Sequence, residues 1–480
     1  LQHAGLAARS VEALTGFPEI LDGRVKTLHP ALHGGILARA DQRGELAGHG
    51  ILPFDLVAVN LYPFRDTVAR GAREAEALEQ IDIGGVALIR AAAKNHPSVL
   101  VVTDPEDYER VAAALDDEGD RDAASDGLSA LRLELARKAF AHTAAYDAAI
   151  ARWLERDALS TPPDEGTLPE RLTLTLERRE VLRYGENPHQ RGARYREPGL
   201  RSCWDAARQH KGLPLSYLNL FDAEAAWRLV HRLEGCACVI VKHANPCGAA
   251  FGVSPLEAYE RAYGADPKSA FGGVVAFNRP LDAPSAARLM DNPKADVLLA
   301  PGYERAALEL LMRKRRAMRV LELPPPGAPA LELRRIDGGF LAQEPDPVAL
   351  ERERWQVVTK LRPNETQWQD LDLAWLVCAH TSSNAIVLVK DRRTVGVGAG
   401  QQSRVDAAEL AARKADGRAW GGACASDAFY PFRDGLDAAA AAGVAAVIQP
   451  GGSVNDDELV RAANEHRIAM VFTGERHFKH

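Results

Sequence analysis

Lys242 and His243 stand side by side in VKHANPCG, at the end of an apolar run. A histidine that titrates near neutrality can accept a proton at working pH, and an adjacent lysine can support the charge developing opposite it. A lone histidine at a strand end is more often one satisfied by a bond to main chain. Earlier, DGRVKTLHPALHGG (Asp22–Gly35) sets Arg24, Lys26, Thr27 and His29 among three glycines. Such a loop can hold a phosphate through charge-assisted bonds and close backbone approach, although its composition also fits a solvated basic turn. Asn60 and Tyr62 in NLYPF end an apolar run, where open α/β sheets present polar residues to ligands. Asp82 in IDIGG and Lys94 in AAAKN can form a proton-handling pair if the fold brings them together; singly, each reads as a cap or a surface charge. In LRYGENPHQ, Arg183 offers a two-pronged cation and Tyr184 a ring, a combination suited to an anionic aromatic ligand.

Five later segments place Gly, Phe, Asn or Arg at expected strand–helix junctions: DPKSAFGGVVAFN with Gly272, SSNAIV with Asn384, GAGQQSRVD with Arg404, SDAFYPFRD with Phe429, and TGERHFKH with Arg476. Junctions of this kind turn backbone donors and aromatic faces toward a ligand.

Alternating β-branched runs and helical stretches are expected to position these residues in an α/β fold with mostly parallel strands. Leu56–Leu61 and Val99–Thr103 read as strands, and a helix is expected from Gly85 to about Asn95. Leu128, Leu131, Leu135, Ala139, Thr143, Tyr146 and Ile150 recur at helical spacing and predict one long helix packing a core or a dimer contact. DALSTPPDEGTL (157–168) and LPPPGAPA (323–330) can neither pack nor continue a helix, and so mark domain boundaries. The flanks of the second connector look distantly alike: VIVKHANPCG (239–248) matches TSSNAIVLV (381–389), and the Ser269–Phe271 turn matches Ser426–Phe429, which suggests an internal duplication.

At 480 residues the chain calls for two to four domains. Its longest apolar runs are shorter than the roughly 18 residues a spanning helix needs, no signal peptide opens it, and no membrane partner is expected. A net charge of −7 argues against a nucleic-acid surface. RKRR (313–316) reads as a solvated helix face. The six cysteines are scattered, as reduced thiols in a cytoplasmic protein would be. Cys247 is followed by Gly248, Ala249 and Ala250 without the second cysteine of a zinc deaminase, so no zinc is expected.

Taken together and in order, RVKTLHP, NLYPF and IDIGG…AAAKNH resemble the cyclohydrolase domain of the bifunctional purine-biosynthesis family. That family formylates aminoimidazole carboxamide ribotide (AICAR) and closes the ring to inosine monophosphate (IMP). RYGENPHQ, KHANPCG and the five later segments resemble its formyltransferase domain. The resemblance implies a partial methylglyoxal-synthase-like domain at 1–157, then two cytidine-deaminase-like α/β subdomains at 168–322 and 331–480. It implies two substrates, AICAR and its formylated product FAICAR, with 10-formyltetrahydrofolate as the folate co-substrate, a structural potassium ion near SDAF, and a homodimer. Arg24, Lys26, Thr27 and Asn60 would then bind nucleotide, while Tyr62, Asp82 and Lys94 serve ring closure. Lys242 and His243 would catalyse formyl transfer, with Arg183, Tyr184, Gly272, Asn384, Arg404, Phe429 and Arg476 contacting ribotide or folate. Two departures stand out. The family's first strand–helix–strand unit with its phosphate loop is not found ahead of Arg24, which leaves open a chain active only as a transformylase. Ser382 also stands where the family often has lysine.

Overall fold

The computed structural model describes every residue except 1–4, 6, 117–123, 155–167, 169, 199, 201 and 329–330. The expected boundary at 157–168 falls almost wholly outside the described residues. Two compact units emerge: Leu1–Glu177 with Arg196–Leu200, and Arg178–Tyr195 with Arg201–His480.

In the first unit, β1 (Leu56–Ala58) pairs in parallel with β2 (Leu100–Val102), Leu56 opposite Leu100. Both are shorter than the apolar runs that announced them. The sequence Leu-Val-Val of β2 is buried throughout, as a strand covered on both faces requires. Helix α1 (Gly84–Lys94) lies where the sequence expects it, and α2 (Ala124–Leu154) carries the long apolar stripe. Leu128, Leu131, Leu135 and Ala139 of α2 join Ile89 and Val101 in one core, whereas Tyr146 and Trp153 pack against Phe64.

The second unit is built on a 12-stranded sheet. Its strands are β3 (Arg208–Lys211), β4 (Ala237–Lys242), β5 (Asn245–Phe251), β6 (Val274–Phe277), β7 (Val297–Ala300), β8 (Arg319–Glu322), β9 (Gln356–Val357), β10 (Ile386–Lys390), β11 (Arg393–Gly398), β12 (Ala423–Ser426), β13 (Ala446–Gln449) and β14 (Ala469–Phe472). Their order, β3-β8-β7-β6-β4-β5-β11-β10-β12-β13-β14-β9, reads the same from both edges when each strand is matched to the one six later. Pairing repeats as well. Each half is an antiparallel hairpin followed by three strands parallel to one another and closed by an antiparallel edge strand, and the halves meet where β5 lies antiparallel to β11.

Helices α3 (Tyr217–Arg232) and α7 (Glu365–Ala379) bury Trp227 and Trp375 on one face of the sheet. On the other face, α4 (Pro255–Tyr263), α5 (Ala283–Asp291) and α6 (Arg305–Arg313) cover the first half. The second half is covered by α8 (Arg404–Ala415), α9 (Arg433–Ala441) and α10 (Asp456–Glu465). Successive residues of β4 alternate between these layers: Val239 and Val241 face the tryptophans, and Cys238 and Ile240 face the opposite core.

The duplication is real, but its register differs from the one expected. At one constant interval along the chain, Ser216 and Asn364 cap α3 and α7, Asp222 and Asp370 follow in each helix, then Trp227 and Trp375, Lys242 and Lys390, and Gly248 and Gly396. KHANPCG therefore matches KDRRTVG, not TSSNAIV, because the shared element is the hairpin and not a polar strand end. The Ser–Phe turns are not equivalent either, since Ser269 precedes β6 while Ser426 ends β12. RKRR is not a helix face: α6 ends at Arg313, and Arg315 turns back to donate to the carbonyls of Leu289, Met290 and Asn292.

Candidate active sites

In the first unit the turn before α1 gathers several expected residues. Asp82 Oδ1 accepts the Gly85 amide at 2.7 Å, capping the helix. A Cβ on Gly84 would sit 2.4 Å from Thr27 Oγ1, so the basic loop and the helix start touch only because residue 84 is glycine. Tyr146 accepts the Asp82 amide at 2.8 Å and donates to the Gln80 carbonyl at 2.7 Å. The sequence marks Tyr146 only as core; its hydroxyl holds this turn in place, and burial pushes its pKa up. Lys26 pairs with Glu19 at 2.6 Å, which raises its pKa, and Tyr62 lies within its electrostatic reach. Arg24 pairs with Glu79. Both pairs are exposed, so an arriving phosphate could displace the carboxylates at little cost. His29 is a helix cap, its Nδ1 accepting the Ala31 amide at 3.1 Å. Asn60 lies exposed two residues beyond β1.

Asp82 and Lys94 do not form the direct pair considered from sequence. They flank α1 at opposite ends, about 15 Å apart at 1.5 Å rise per residue. Only a ligand lying along the helix could meet both.

In the second unit, Lys242 ends β4 and His243 opens the turn into β5. His243 and Ala244 both have positive φ, 53° and 56°, the two-residue geometry that fits the twist of a hairpin. The turn leaves the imidazole exposed. Lys242 Nζ donates to the Phe271 carbonyl at 2.8 Å, which fixes it beside Gly272 and leaves two of its N–H groups available. The Arg183 guanidinium lies 5.3 Å from the centre of the Tyr184 ring, and the Tyr184 carbonyl accepts the amide of Tyr217 at the start of α3. Two residues that the sequence reading missed adjoin this corner. A Cβ on Gly272 would approach Asp296 Oδ2 to 4.0 Å. Buried Arg319 has its pKa lowered by burial, while Asp296 and Tyr184 act in the opposite sense. Neither belongs to a recognisable string; only the parallel strands β7 and β8 bring them here. Burial pushes the Cys247 thiol up to about 12, so it stays protonated near neutral pH.

A second cluster gathers the later segments. The amide of Asn384 donates to the carbonyls of Gln401 and Gln402, and its Oδ1 accepts from Arg404 at 2.8 Å. Arg404 also binds the Ser426 hydroxyl at 2.7 Å and pairs with Asp427, both partners being almost fully buried. It was expected to contact ligand. Instead both of its Nη groups are engaged within the protein, where they orient Asn384 and the Ser426 turn. Asp427 also accepts from Ser383, and its carbonyl accepts the amide of His477. This ties down the C-terminal segment of Arg476, whose guanidinium lies 4.7 Å from the Phe478 ring. Phe429 leaves the same turn partly exposed. The clusters adjoin: Asn245, two residues past His243, accepts the Ser382 amide at 2.7 Å.

The AICARFT/IMPCHase bienzyme family model matches residues 92–414. The chain belongs to that family. An MGS-like domain matches residues 1–87. Relatives called bifunctional purine biosynthesis protein PurH, from Xanthomonas euvesicatoria pv. vesicatoria and Cereibacter sphaeroides, are 48% identical. Each similarity takes in 100% of this chain and 92% of the relative. A chain from the crystal structure of ForH is 38% identical over 31% of this chain and 77% of its own length, with a TM-score of 0.27. Among the described residues no helix is long and apolar enough to cross a membrane.

Proposed function

We propose that this family member catalyses the last two steps of purine nucleotide synthesis: formyl transfer from 10-formyltetrahydrofolate to AICAR, then dehydrative closure of FAICAR to IMP. The observation that carries the reading is Lys242 and His243 at a hairpin tip, with Lys242 bonded to the carbonyl just before Gly272 and Asn245 bonded to Ser382 next to the Asn384 cluster. The ring-conjugated amine of the ribotide is a weak nucleophile. His243 would take its proton as the nitrogen attacks the formyl carbon, and a free N–H of Lys242 would stabilise charge on the formyl oxygen or the departing folate nitrogen. Arg183 would hold the ribotide phosphate and Tyr184 its ring. Asn384, Phe429 and Arg476 would line the folate side, with Arg404 positioning Asn384.

Ring closure is assigned to the first unit, with Lys26, Thr27 and Arg24 receiving phosphate, Asn60 and Tyr62 lining the base, and Asp82 and Lys94 acting from the two ends of α1. The domains would be 1–157, 168–322 and 331–480, in a cytoplasmic homodimer that uses no zinc. The side-chain oxygens of Ser426 and Asp427 are already engaged, so a potassium ion near SDAF would rest on main-chain carbonyls.

Purified protein supplied with AICAR and 10-formyltetrahydrofolate should release tetrahydrofolate and accumulate IMP on chromatography. His243→Ala should slow transfer by about 10²–10⁴-fold while still closing added FAICAR. Accumulated FAICAR would leave only the transformylase, and no folate turnover would overturn the reading.

A further inference from the structure

We infer that Asp222, on α3, is a positioning residue for formyl transfer, acting through the hairpin that carries His243; the inference rests on the reading of His243 as the base. Its two carboxylate oxygens accept consecutive backbone amides, Oδ2 from His243 at 3.2 Å and Oδ1 from Ala244 at 2.8 Å. Those are the two left-handed residues of the turn. Two-residue hairpins of this kind favour Asn-Gly or Asp-Gly, whereas His-Ala lacks the glycine that adopts the conformation without steric cost. The turn therefore depends on something outside itself, and the bidentate carboxylate supplies it. Both amides would otherwise point away from the hairpin ladder with no acceptor among the described contacts of the turn.

The same device occurs where no chemistry is assigned. Asp370, at the matching place on α7, accepts the amides of Asp391 and Arg392 at 3.1 and 2.6 Å, and these two residues also have positive φ, 52° and 57°. Because β5 and β11 are antiparallel, the two tips lie toward opposite ends of the central strands, about 20 Å apart for seven residues of strand. Asp370 is fully buried while Asp222 is only partly so. Losing Asp370 should thus disturb the fold at least as much as losing Asp222. Only Asp222 is coupled to a reacting group, since its removal lets the imidazole drift from attack geometry, where a displacement of about 1 Å can cost about 10²-fold in rate.

The test measures formyl transfer and unfolding for Asp222→Ala, Asp222→Asn, Asp370→Ala and His243→Ala in the full-length protein, with Asp222→Ala also made in the His243→Ala background. Asp222→Ala should lower kcat by about 10²-fold with the KM for AICAR within about threefold, and Asp222→Asn, which keeps one acceptor, should fall between it and the parent. Asp370→Ala should keep kcat within about twofold at temperatures where it is folded. Adding Asp222→Ala to His243→Ala should cost nothing further, because a residue acting only through the imidazole has nothing left to position. An unchanged kcat in Asp222→Ala, an equal loss in Asp370→Ala, or a further loss in the double variant would each overturn the inference. If His243→Ala itself kept full transfer, the reading of the base would fail and Asp222 would fall with it. Loss in His243→Ala with full activity in Asp222→Ala would remove Asp222 alone.

Discussion

At the β4–β5 tip the two left-handed residues are His243 and Ala244; at the β10–β11 tip they are Asp391 and Arg392. The strands, the carboxylate below each turn and the glycine beyond it are shared. What differs is what each turn displays and what surrounds it. Lys242 and Lys390 even make similar bonds, to the carbonyls of Phe271 and Gly421. Around the first tip, however, the second half contributes Ser382 and the Asn384 cluster, whereas the second tip leans on Phe251, which Arg392 covers at 4.1 Å. A duplicated scaffold thus displays the candidate residues at one tip and not at the other, and a fold by itself does not imply a function.

The sharpest difference in packing lies just past β6 and β12. In the first half this place is Asn278, whose amide donates to the carbonyls of Val230, Leu233 and Gly235 while its Oδ1 accepts the Ala237 amide. In the second half it is Asp427, paired with Arg404 at side-chain exposures of 0% and 6%. Making the second half resemble the first, Asp427→Asn should strand the buried guanidinium and cost about 3–5 kcal/mol in urea unfolding. Adding Arg404→Met should recover much of that loss. A cost below about 1 kcal/mol for Asp427→Asn would mean that the pair does not organise this corner.

A smaller contrast is expected in acid. At the end of α7, His380 occupies the place that Arg232 holds at the end of α3. Burial pushes its pKa down to about 4 from 6.5; the positive charges of Lys479, Arg232 and His477 push the same way, against the hydrogen bond to the Leu376 carbonyl. The folded state therefore resists protonation that the unfolded chain accepts. Its contribution is fully present above pH 6.5 and is lost as pH falls from there toward 4, by at most about 3 kcal/mol. Unfolding measured from pH 7 to 4 should show this loss, and His380→Gln should flatten it. An unchanged slope in the variant would assign the acid sensitivity to other groups.

What the sequence disclosed follows the range of the interactions involved. Helix α2 was legible because its stripe repeats every three or four residues, and α1 because the glycines of IDIGG precede an alanine-rich run. The candidate residues of the corner proposed for formyl transfer stood in the sequence as strings. Their support did not: Asp222 meets His243 across 21 residues and Tyr146 meets Asp82 across 64, and a lone Asp or Tyr on a helix carries no mark of such a partner. Arg404 was read as a ligand contact from the resemblance of the GAGQQSRVD segment, and only the fold reveals Asp427 beneath it. The duplication was visible but matched in the wrong register, because Ser, His and Asn were compared as polar types. The features that truly repeat are an aspartate, a tryptophan, a lysine and a glycine, which serve packing or the turn.

That glycine offers the finest test of how far the two halves are alike. A Cβ on Gly248 would stand 2.0 Å from the Ala262 carbonyl oxygen of α4, and one on Gly396 would stand 2.1 Å from the Ala411 carbonyl oxygen of α8. Neither neighbour is a flexible side chain that can turn aside, so strand and helix must separate. Overpacking of this kind costs about 1–3 kcal/mol. Gly248→Ala and Gly396→Ala should therefore lose stability by similar amounts within that range. Turnover should separate them, since β5 begins at the His243 turn and β11 begins at the other. A large gap in stability would show that the halves share a chain path but not a packing. Equal loss of formyl transfer in both would show that the plain half transmits its packing to the working corner.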